Sequence, residues 1–216
     1  MPVLKKITLS LKNYKNMAGR SRYSVSGKKA GIKKGVLKNK LGISSQKELD
    51  DAETILLSDA YEFFSKKKFK PKDFKVDFLF SIHKYFFGTL YDWAGSLREV
   101  NISKGNMMFA SAKYLRSSLE YLDKILKENF PSRKDSKSII ALKIALLHNE
   151  FNAIHPFRDG NGRTIRLFLD LLVSFFGYKM IDWDSRSKNE YLKACLLGSA
   201  GNHQPMKDFI LRRLKK

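Results

Sequence analysis

The sequence has 216 residues, enough to bury a core as one compact domain, and its 43% hydrophobic content is too high for a disordered chain. No apolar run approaches the roughly 20 residues that cross a bilayer, and we expect no secretory signal in the first residues. We therefore expect a cytoplasmic protein with no membrane partner, although export by an unreadable signal stays open. The formal net charge of +21 attracts nucleic acids, acidic proteins and polyphosphates, or reflects a lysine-rich proteome.

The sequence contains one cysteine, Cys195, which excludes an internal disulfide and is typical of a reducing compartment. A catalytic thiol needs a base partner, and the sequence offers none beside it. We expect Cys195 to be a small buried side chain.

The N-terminal part of the chain is the most basic, because its first acidic residue is Glu48. Residues 21–35 contain three glycines and show little periodicity, which predicts a loop or a hairpin. We expect residues 1–35 to form a basic, irregular arm and residues 36–216 to form the main domain. A nucleic-acid-binding arm is an alternative, although its only aromatic residues are Tyr14 and Tyr23.

From residue 45 onward the pattern is mainly helical. Ser45, followed by Glu48, predicts a capped helix start, and a second helix is expected over residues 73–87. In the stretch 91–109, Val100 and Ile102 alternate with polar residues, and a turn at 104–106 predicts a short β-hairpin. Further helices are predicted over 111–129, 137–154, 164–176, 188–197 and 206–214. The predicted fold class is mainly α, a helical bundle with one short β-hairpin.

Two predicted helices flank a polar loop. The helix over 137–154 carries one apolar stripe, and it should end near His155 because Pro156 disfavours helical geometry at the preceding residue. The helix over 164–176 is apolar on nearly all sides, which is typical of a core helix. Residues 155–163 are therefore predicted to form a loop between two buried helices. The stripe consists of Ile140, Ile144, Leu147, Phe151 and Ile154.

This loop has the features of an anion site. Gly160 and Gly162 leave room for a ligand and precede a helix, whose free N–H groups and dipole favour phosphate. Arg163 and Arg166 lie on one face of the first helical turn and can bind phosphate oxygens.

The same loop offers a base and a metal ligand. His155 can accept a proton near neutral pH, and Asp159 can bind Mg²⁺. Together with the anion site, these residues predict a polyphosphate–Mg²⁺ site beside a base. The sequence contains no GxxxxGK[ST], GxGxxG or HExxH motif.

The loop sequence HPFRDGNGRTIR matches the Fic motif HxFx(D/E)GNGRxxR at every defined position. The segments HNEFNAIHPF, LREVNISKGNMMFA and VLKNKLGISSQKELDDAE also resemble the Fic family, so the similarity extends from about residue 36 to residue 207. The resemblance implies a Fic-type helical bundle whose hairpin is a flap that docks a target protein. Toxin-like bacterial members look like the nearest class.

The resemblance also implies an activity: in-line transfer of AMP from ATP to a hydroxyl side chain of a target protein, with release of pyrophosphate. In the flap, Lys104 and Gly105, together with Phe109, are candidates to position the target segment by strand addition, and an ordinary exposed hairpin is the alternative. Lys104 and Gly105 are also assigned to the cofactor-binding residues. The roles implied for the loop are these: His155 is the general base, Phe157 anchors the loop, Asp159 binds Mg²⁺, Gly160, Asn161 and Gly162 form the anion hole, Arg163 contacts phosphate, and Arg166 pairs with the γ-phosphate.

Several alternatives stay open at this point. Doc-type relatives phosphorylate their targets and carry lysine where this chain has Gly162, which favours AMP transfer here. Phosphocholine-transferring relatives share the motif, and a nucleic-acid-binding protein with an idle Fic core is a further alternative. The family's inhibitory motif (S/T)xxxE(G/N) is absent, because Leu49 and Phe63 follow the two candidate glutamates, Glu48 and Glu62. This absence points to a separate small antitoxin or to an unregulated member.

The other histidines have no predicted role in chemistry. His148 shares a helix face with His155, but no third ligand has suitable spacing, so we expect a hydrogen-bonded core histidine. His83 and His203 are isolated in the sequence and receive no role.

Overall fold

The computed structural model of the chain describes residues 23–25, 31–33, 36–105, 107–183 and 188–216. Within these ranges the fold is mainly helical, as predicted. The α-helices are α1 Gln46–Ser65, α2 Val76–Phe87, α3 Leu115–Glu128, α4 Lys137–Ile154, α5 Asn161–Phe175, α6 Lys188–Ser199 and α7 Gln204–Arg213. Single 3₁₀ turns at Pro71–Asp73 and Ala112–Tyr114 precede α2 and α3.

Helix α4 lies at the centre of the bundle. It packs against α3, α5, α6 and α7, while α5 also contacts α1 and α2. The predicted apolar stripe of α4 is buried along its whole length, from Ile140 to Ile154. The core extends from Val36 to Leu214, so the helices share a single hydrophobic interior.

The helix boundaries follow local signals. Ser45 caps α1 by accepting a hydrogen bond from the Glu48 backbone N–H at 3.5 Å. Helix α4 has the predicted bounds, and it ends at Ile154, so that only His155 separates it from Pro156. Helix α5 differs, because it begins at Asn161 rather than at the predicted Thr164. Gly160 adopts a left-handed conformation before it, so the helix starts inside the glycine-containing turn.

Five short strands form two small sheets among the described residues. Strands β1 Ser24–Val25, β4 Ile102–Lys104 and β5 Met107–Met108 form an antiparallel sheet in the order β1-β4-β5. Strands β2 Ile32–Lys33 and β3 Val36–Leu37 form the second. The predicted hairpin is confirmed by the β4–β5 pair, which we call the flap (102–108). The pairing of β1 with the outer edge of β4 was not predicted.

Much of the predicted basic arm lies outside the described residues. Only 23–25 and 31–33 of the first 35 residues are described, so the arm as a unit, including Tyr14, stays a prediction. Asn106 in the flap turn is also outside the described residues. In the described part of the chain, no helix combines the length and apolarity that a membrane span needs.

The cysteine has the expected place in the core. Cys195 is buried in α6, and burial raises the pKa of its thiol to about 11. A thiol with a raised pKa is a poor nucleophile, which agrees with the predicted packing role.

Candidate active site

His155 is held in one orientation at the end of α4. Its backbone is left-handed, with φ of 50°, and among the described residues it is the only non-glycine residue with a positive φ. Its Nδ1 lies 2.8 Å from the Asn152 carbonyl oxygen. A carbonyl oxygen can only accept, so Nδ1 carries the proton and the Nε2 lone pair is left as an acceptor. The strained backbone and this bond together aim Nε2 away from α4.

The imidazole lies in an apolar setting. Its side chain is buried, and its ring stacks on Phe109, the residue after the flap, with the centroids 3.8 Å apart. The pKa of His155 is lowered from 6.5 to about 3, mainly by burial and in part by the nearby charges of Lys104 and Arg98. The ring is therefore neutral at physiological pH, which is the form that a general base needs.

A hydroxyl group already faces the free nitrogen. Tyr23 Oη donates to His155 Nε2 at 2.8 Å, and the two rings meet edge to face with their centroids 5.2 Å apart. Tyr23 directly precedes β1, so it reaches the site from the edge of the flap.

The glycine turn brings backbone close to neighbouring side chains. Gly160 has φ of 79°, and a Cβ atom there would lie 2.4 Å from Cε2 of Phe87. A Cβ atom at Gly162 would lie 3.2 Å from Nη1 of Arg166. Because α5 begins at Asn161, its first backbone N–H groups have no acceptor within the helix. The predicted anion site therefore coincides with a helix N-terminus, which favours a phosphate group.

Asn161 stabilises the loop through its side chain. Its Oδ1 accepts from the Phe157 backbone N–H, and its Nδ2 donates to the Phe157 carbonyl, both at 2.8 Å. Phe157 itself is fully buried, as expected for an anchor. The side-chain amide is thus committed to the loop, and the predicted contribution of Asn161 to an anion hole rests on its backbone N–H.

Arg163 contacts two carboxylates in this structure. Its Nη1 donates to Glu53 Oε2 at 2.5 Å, and its Nη2 donates to Asp159 Oδ1 at 3.1 Å. Tyr91 Oη donates to the other oxygen of Glu53, Oε1, at 2.5 Å. Burial opposes the charge on Arg163, but Glu53 and Asp159 outweigh it and raise its pKa. The predicted phosphate contact by Arg163 stays a prediction, since both terminal nitrogens engage protein oxygens here.

Arg166 lies deeper, at the junction of α5 and α6. Its Nη1 donates to Tyr191 Oη at 3.2 Å, and that hydroxyl lies 2.9 Å from His148 Nε2. His148 is fully buried, and burial lowers its pKa to about 4. The expected hydrogen-bonded core histidine is confirmed. The predicted pairing of Arg166 with a γ-phosphate stays a prediction.

The two candidate glutamates of an inhibitory motif do not contact the arginines. Glu48 is exposed in the first turn of α1, and Glu62 pairs with Lys66 at 2.6 Å. Both therefore have the surface positions that the sequence predicts.

Arg98 was missed by the sequence analysis, although it connects the flap to the loop. Its Nε donates to the His155 carbonyl at 2.8 Å, and its terminal nitrogens reach the carbonyls of Val100, Ala110 and Ile154. The backbone N–H of Arg98 donates to the Pro156 carbonyl at 2.9 Å. Burial lowers the pKa of Arg98 to about 10, so the guanidinium stays charged at neutral pH. No sequence signal marks it, because its partners are backbone oxygens.

His83 is a second residue that the sequence analysis did not assign. Its Nδ1 accepts from the Gly95 N–H at 2.8 Å, so its Nε2 carries the proton and donates to the Asp159 carbonyl at 3.0 Å. The ring stacks on Phe157 with the centroids 3.8 Å apart. His83 thus fixes the backbone of the loop from α2.

Lys104 is the flap residue whose charge acts on the base. It ends β4, and its charge contributes to the low pKa of His155. Gly105 follows it in the flap turn, with φ of 57°. The part of Lys104 and Gly105 in binding stays a prediction.

Asp159 is the one loop carboxylate available for Mg²⁺. Its Oδ1 accepts from the Gly160 N–H at 2.5 Å and from Arg163, while Oδ2 has no hydrogen bond or ion pair with the described residues. Mg²⁺ is commonly held by one or two carboxylates together with substrate phosphates. The donor set therefore fits Mg²⁺ bound jointly with a polyphosphate; within the described residues no group of three His, Cys, Asp or Glu forms a metal site by itself.

Comparison with known proteins identifies the family. Residues 73–173 match the family model described as Fic/DOC family. The probable protein adenylyltransferase y4lH of Sinorhizobium fredii is 31% identical over 182 residues, which cover 83% of this chain and 91% of that protein. The chain belongs to the Fic/DOC family.

Other members of the Fic/DOC family extend the comparison. The protein adenylyltransferase VbhT of Bartonella schoenbuchensis is 33% identical over 180 residues, 83% of this chain. This chain spans only 37% of the length of VbhT. The crystal structure of BepC from Bartonella tribocorum with bound AMPPNP superposes with a TM-score of 0.69 at 26% identity, covering 82% of this chain and 91% of that one. The expected Fic fold is therefore confirmed.

Proposed function

We propose that this chain is a protein adenylyltransferase, which transfers AMP from ATP to a hydroxyl side chain of a target protein. The relatives named protein adenylyltransferase support the reaction class. The BepC structure with AMPPNP, an analogue of ATP, supports a nucleoside triphosphate as the donor. The observation that carries the proposal is the orientation of His155. Its Nδ1 is fixed by the Asn152 carbonyl, and its Nε2 accepts from a hydroxyl at 2.8 Å.

In the proposed reaction, the target hydroxyl attacks the α-phosphorus of ATP and its proton passes to His155 Nε2. The bond from the α-phosphorus to the bridging oxygen breaks, and pyrophosphate leaves. Burial by itself makes the imidazole a weak base. The negative charge of a bound triphosphate favours the imidazolium and so raises the pKa of His155 toward the working range.

The N-terminus of α5 supplies the stabilisation of phosphate in this proposal. The backbone N–H groups of Asn161, Gly162 and Arg163 point out of the first helical turn. We assign Arg166 to the terminal phosphate, because its guanidinium lies against Gly162. Asp159 would hold Mg²⁺, which, when bound, neutralises charge on the phosphate oxygens.

Gly162 favours AMP transfer over phosphoryl transfer. A Cβ atom at this position would lie 3.2 Å from Nη1 of Arg166, so a lysine would require the guanidinium to shift by a few tenths of an ångström. Glycine leaves the arginine in place beside the turn and leaves the turn accessible to a larger part of the nucleotide.

The choice of labelled ATP tests this proposal. The chain is incubated with a bacterial lysate, MgCl₂ and ATP labelled either in the α-phosphate or in the γ-phosphate. Relative to lysate incubated without the chain, we expect additional protein bands labelled from the α-phosphate and none from the γ-phosphate. Additional label from the γ-phosphate would show phosphoryl transfer, and label only in a parallel incubation with labelled CDP-choline in place of ATP would show phosphocholine transfer.

We also infer that residues 36–216 form the Fic domain and that a separate small protein inhibits it. The shared hydrophobic core from Val36 to Leu214 supports the boundary. The surface positions of Glu48 and Glu62 support an external inhibitor, because neither candidate glutamate lies at the arginines. Purification of the chain from its native cells, followed by mass spectrometry of copurified proteins, tests the second inference.

A further inference from the structure

The hydroxyl that faces the base in this structure belongs to the chain itself. Tyr23 Oη lies 2.8 Å from His155 Nε2. Because Nδ1 is committed to the Asn152 carbonyl, the phenol donates and the imidazole accepts. This is the contact that a general base makes with the hydroxyl it deprotonates.

The ring of Tyr23 is held on two sides. It packs edge to face against Phe109, with the centroids 5.9 Å apart, and against the imidazole. Such contacts orient an aromatic ring as well as burying it. The phenol is therefore positioned, and it is half-buried rather than free in solvent.

The chain that carries Tyr23 is docked as a strand. Ser24 pairs with Ser103 and Val25 with Ile102, so β1 extends the flap at the edge of β4 opposite β5. Adding an extended peptide to an exposed sheet edge is a common mode of peptide recognition. Residues 23–25 thus combine an acceptor hydroxyl with a strand that is paired to the flap.

We propose that Tyr23 is a self-adenylylation site, modified by His155 of the same chain. In this step Tyr23 Oη forms a bond to the α-phosphorus of ATP and transfers its proton to His155 Nε2. The bond from the α-phosphorus to the bridging oxygen breaks, and pyrophosphate leaves with the electron pair. The proposal rests on the proposed function, since it uses the same base and the same donor.

The test uses the full chain with ATP labelled in the α-phosphate and MgCl₂, without any other protein. We expect up to one AMP per chain by intact mass, and peptide mapping should place it on Tyr23. Tyr23→Phe should abolish the label. The matched control Tyr121→Phe removes a tyrosine that is exposed on α3, and it should keep full labelling.

A mixing experiment tests whether the reaction occurs within one chain. A His155→Ala chain, which keeps Tyr23, is combined with a Tyr23→Phe chain, which keeps His155, and the two are distinguished by a mass tag. We expect no label on either chain. Label on the His155→Ala chain would show transfer between molecules and would overturn the intramolecular geometry.

A parallel incubation with bacterial lysate separates the two proposals. Lysate proteins labelled while Tyr23 stays unmodified would overturn self-adenylylation and leave the proposed function standing. Self-adenylylation is also overturned if the only effect of Tyr23→Phe is an increase in lysate labelling. Tyr23 would then only block His155 against target hydroxyls and would not be modified itself. Absence of label on both the lysate and the chain would overturn the proposed function and self-adenylylation together.

Discussion

Arg98 donates from Nε to the carbonyl oxygen of His155 at 2.8 Å, although the two residues lie 57 positions apart in the chain. The same guanidinium reaches the carbonyl of Ile154 in the last turn of α4 and the carbonyls of Val100 and Ala110, which flank the flap. Carbonyl groups at a helix C-terminus have no donor within the helix, and a buried cation there also complements the helix dipole. Arg98 therefore positions the base relative to the flap.

Replacing Arg98 by lysine should slow the reaction. Lysine keeps the charge, but its single ammonium group cannot reach four carbonyls in the fork geometry of arginine. We expect kcat for target labelling to fall by about 10²-fold, the cost of misplacing a catalytic group by about 1 Å. The KM for ATP should change little, because the partners of Arg98 are backbone carbonyls at His155 and beside the flap and not the proposed phosphate-binding residues.

Arg116→Lys is the matched control, since Arg116 is exposed on α3. It should leave both kinetic constants unchanged. An Arg98→Lys enzyme with wild-type kcat would contradict the positioning role.

Glu53→Gln should destabilise the fold. Glu53 is 6% exposed, and it accepts from both Arg163 and Tyr91. Removing one partner of a buried ion pair costs about 3–5 kcal/mol when the other charge is left uncompensated. Asp159 remains as a second partner of Arg163, so we expect a loss at the lower end of that range. Urea unfolding measures this loss. The control Glu62→Gln removes a surface pair with Lys66 and should cost about 1 kcal/mol or less. Equal losses of unfolding free energy for the two variants would show that the pair of Glu53 with Arg163 does not stabilise the fold more than a surface pair does.

Gly160→Ala tests the close approach of the turn to α2. The left-handed backbone costs an alanine about 1–2 kcal/mol, and the clash with Phe87 at 2.4 Å adds about 1–3 kcal/mol. Gly201 also has a positive φ, but a Cβ atom there meets nothing within 4 Å. Gly201→Ala therefore measures the backbone cost alone. Thermal unfolding should show a clearly larger loss for Gly160→Ala, and similar losses would argue against the contact with Phe87.

The buried histidines predict how stability depends on pH. Burial lowers the pKa of His83 to about 3, of His148 to about 4 and of His155 to about 3, from 6.5. Below pH 6.5 the unfolded chain therefore binds more protons than the folded chain. The stability that these neutral side chains contribute is complete above that pH. It is lost progressively as the pH falls toward the pKa values of the histidines in the folded protein.

Each of these histidines should contribute a slope of about 1.4 kcal/mol per pH unit between the two pKa values. Urea unfolding at about pH 7.5 and about pH 5.5 measures the total. His148→Gln removes one titrating group, so its slope should be smaller than that of the wild type. An identical slope would mean that His148 is protonated in the folded protein as well.

The sequence predicts the local features of this site and misses those that depend on distant contacts. Pro156 marks the end of α4, and the glycines mark the turn before α5, because these residues restrict or free their own backbone. The start of α5 at Asn161 escaped prediction because the side chain of Asn161 itself, bonded to the backbone of Phe157, supports the first turn.

The positioning residues could not be predicted, since each acts across a long separation. His83 bonds to Asp159 over 76 positions, Glu53 to Arg163 over 110, and Tyr23 to His155 over 132. None of them has a local pattern of its own. The docking of β1 on the flap also could not be predicted, because a strand of two residues gives no detectable periodicity.

Loss of the imidazole is the most direct test of the central claim. Wild-type chain and His155→Ala chain are incubated separately with bacterial lysate, MgCl₂ and ATP labelled in the α-phosphate, and the initial rate of protein labelling is measured. Removal of a general base should reduce that rate by about 10²–10⁴-fold, while unfolding curves confirm that the variant is folded. A folded His155→Ala chain that labels its targets at the wild-type rate would contradict the assignment of His155 as the base.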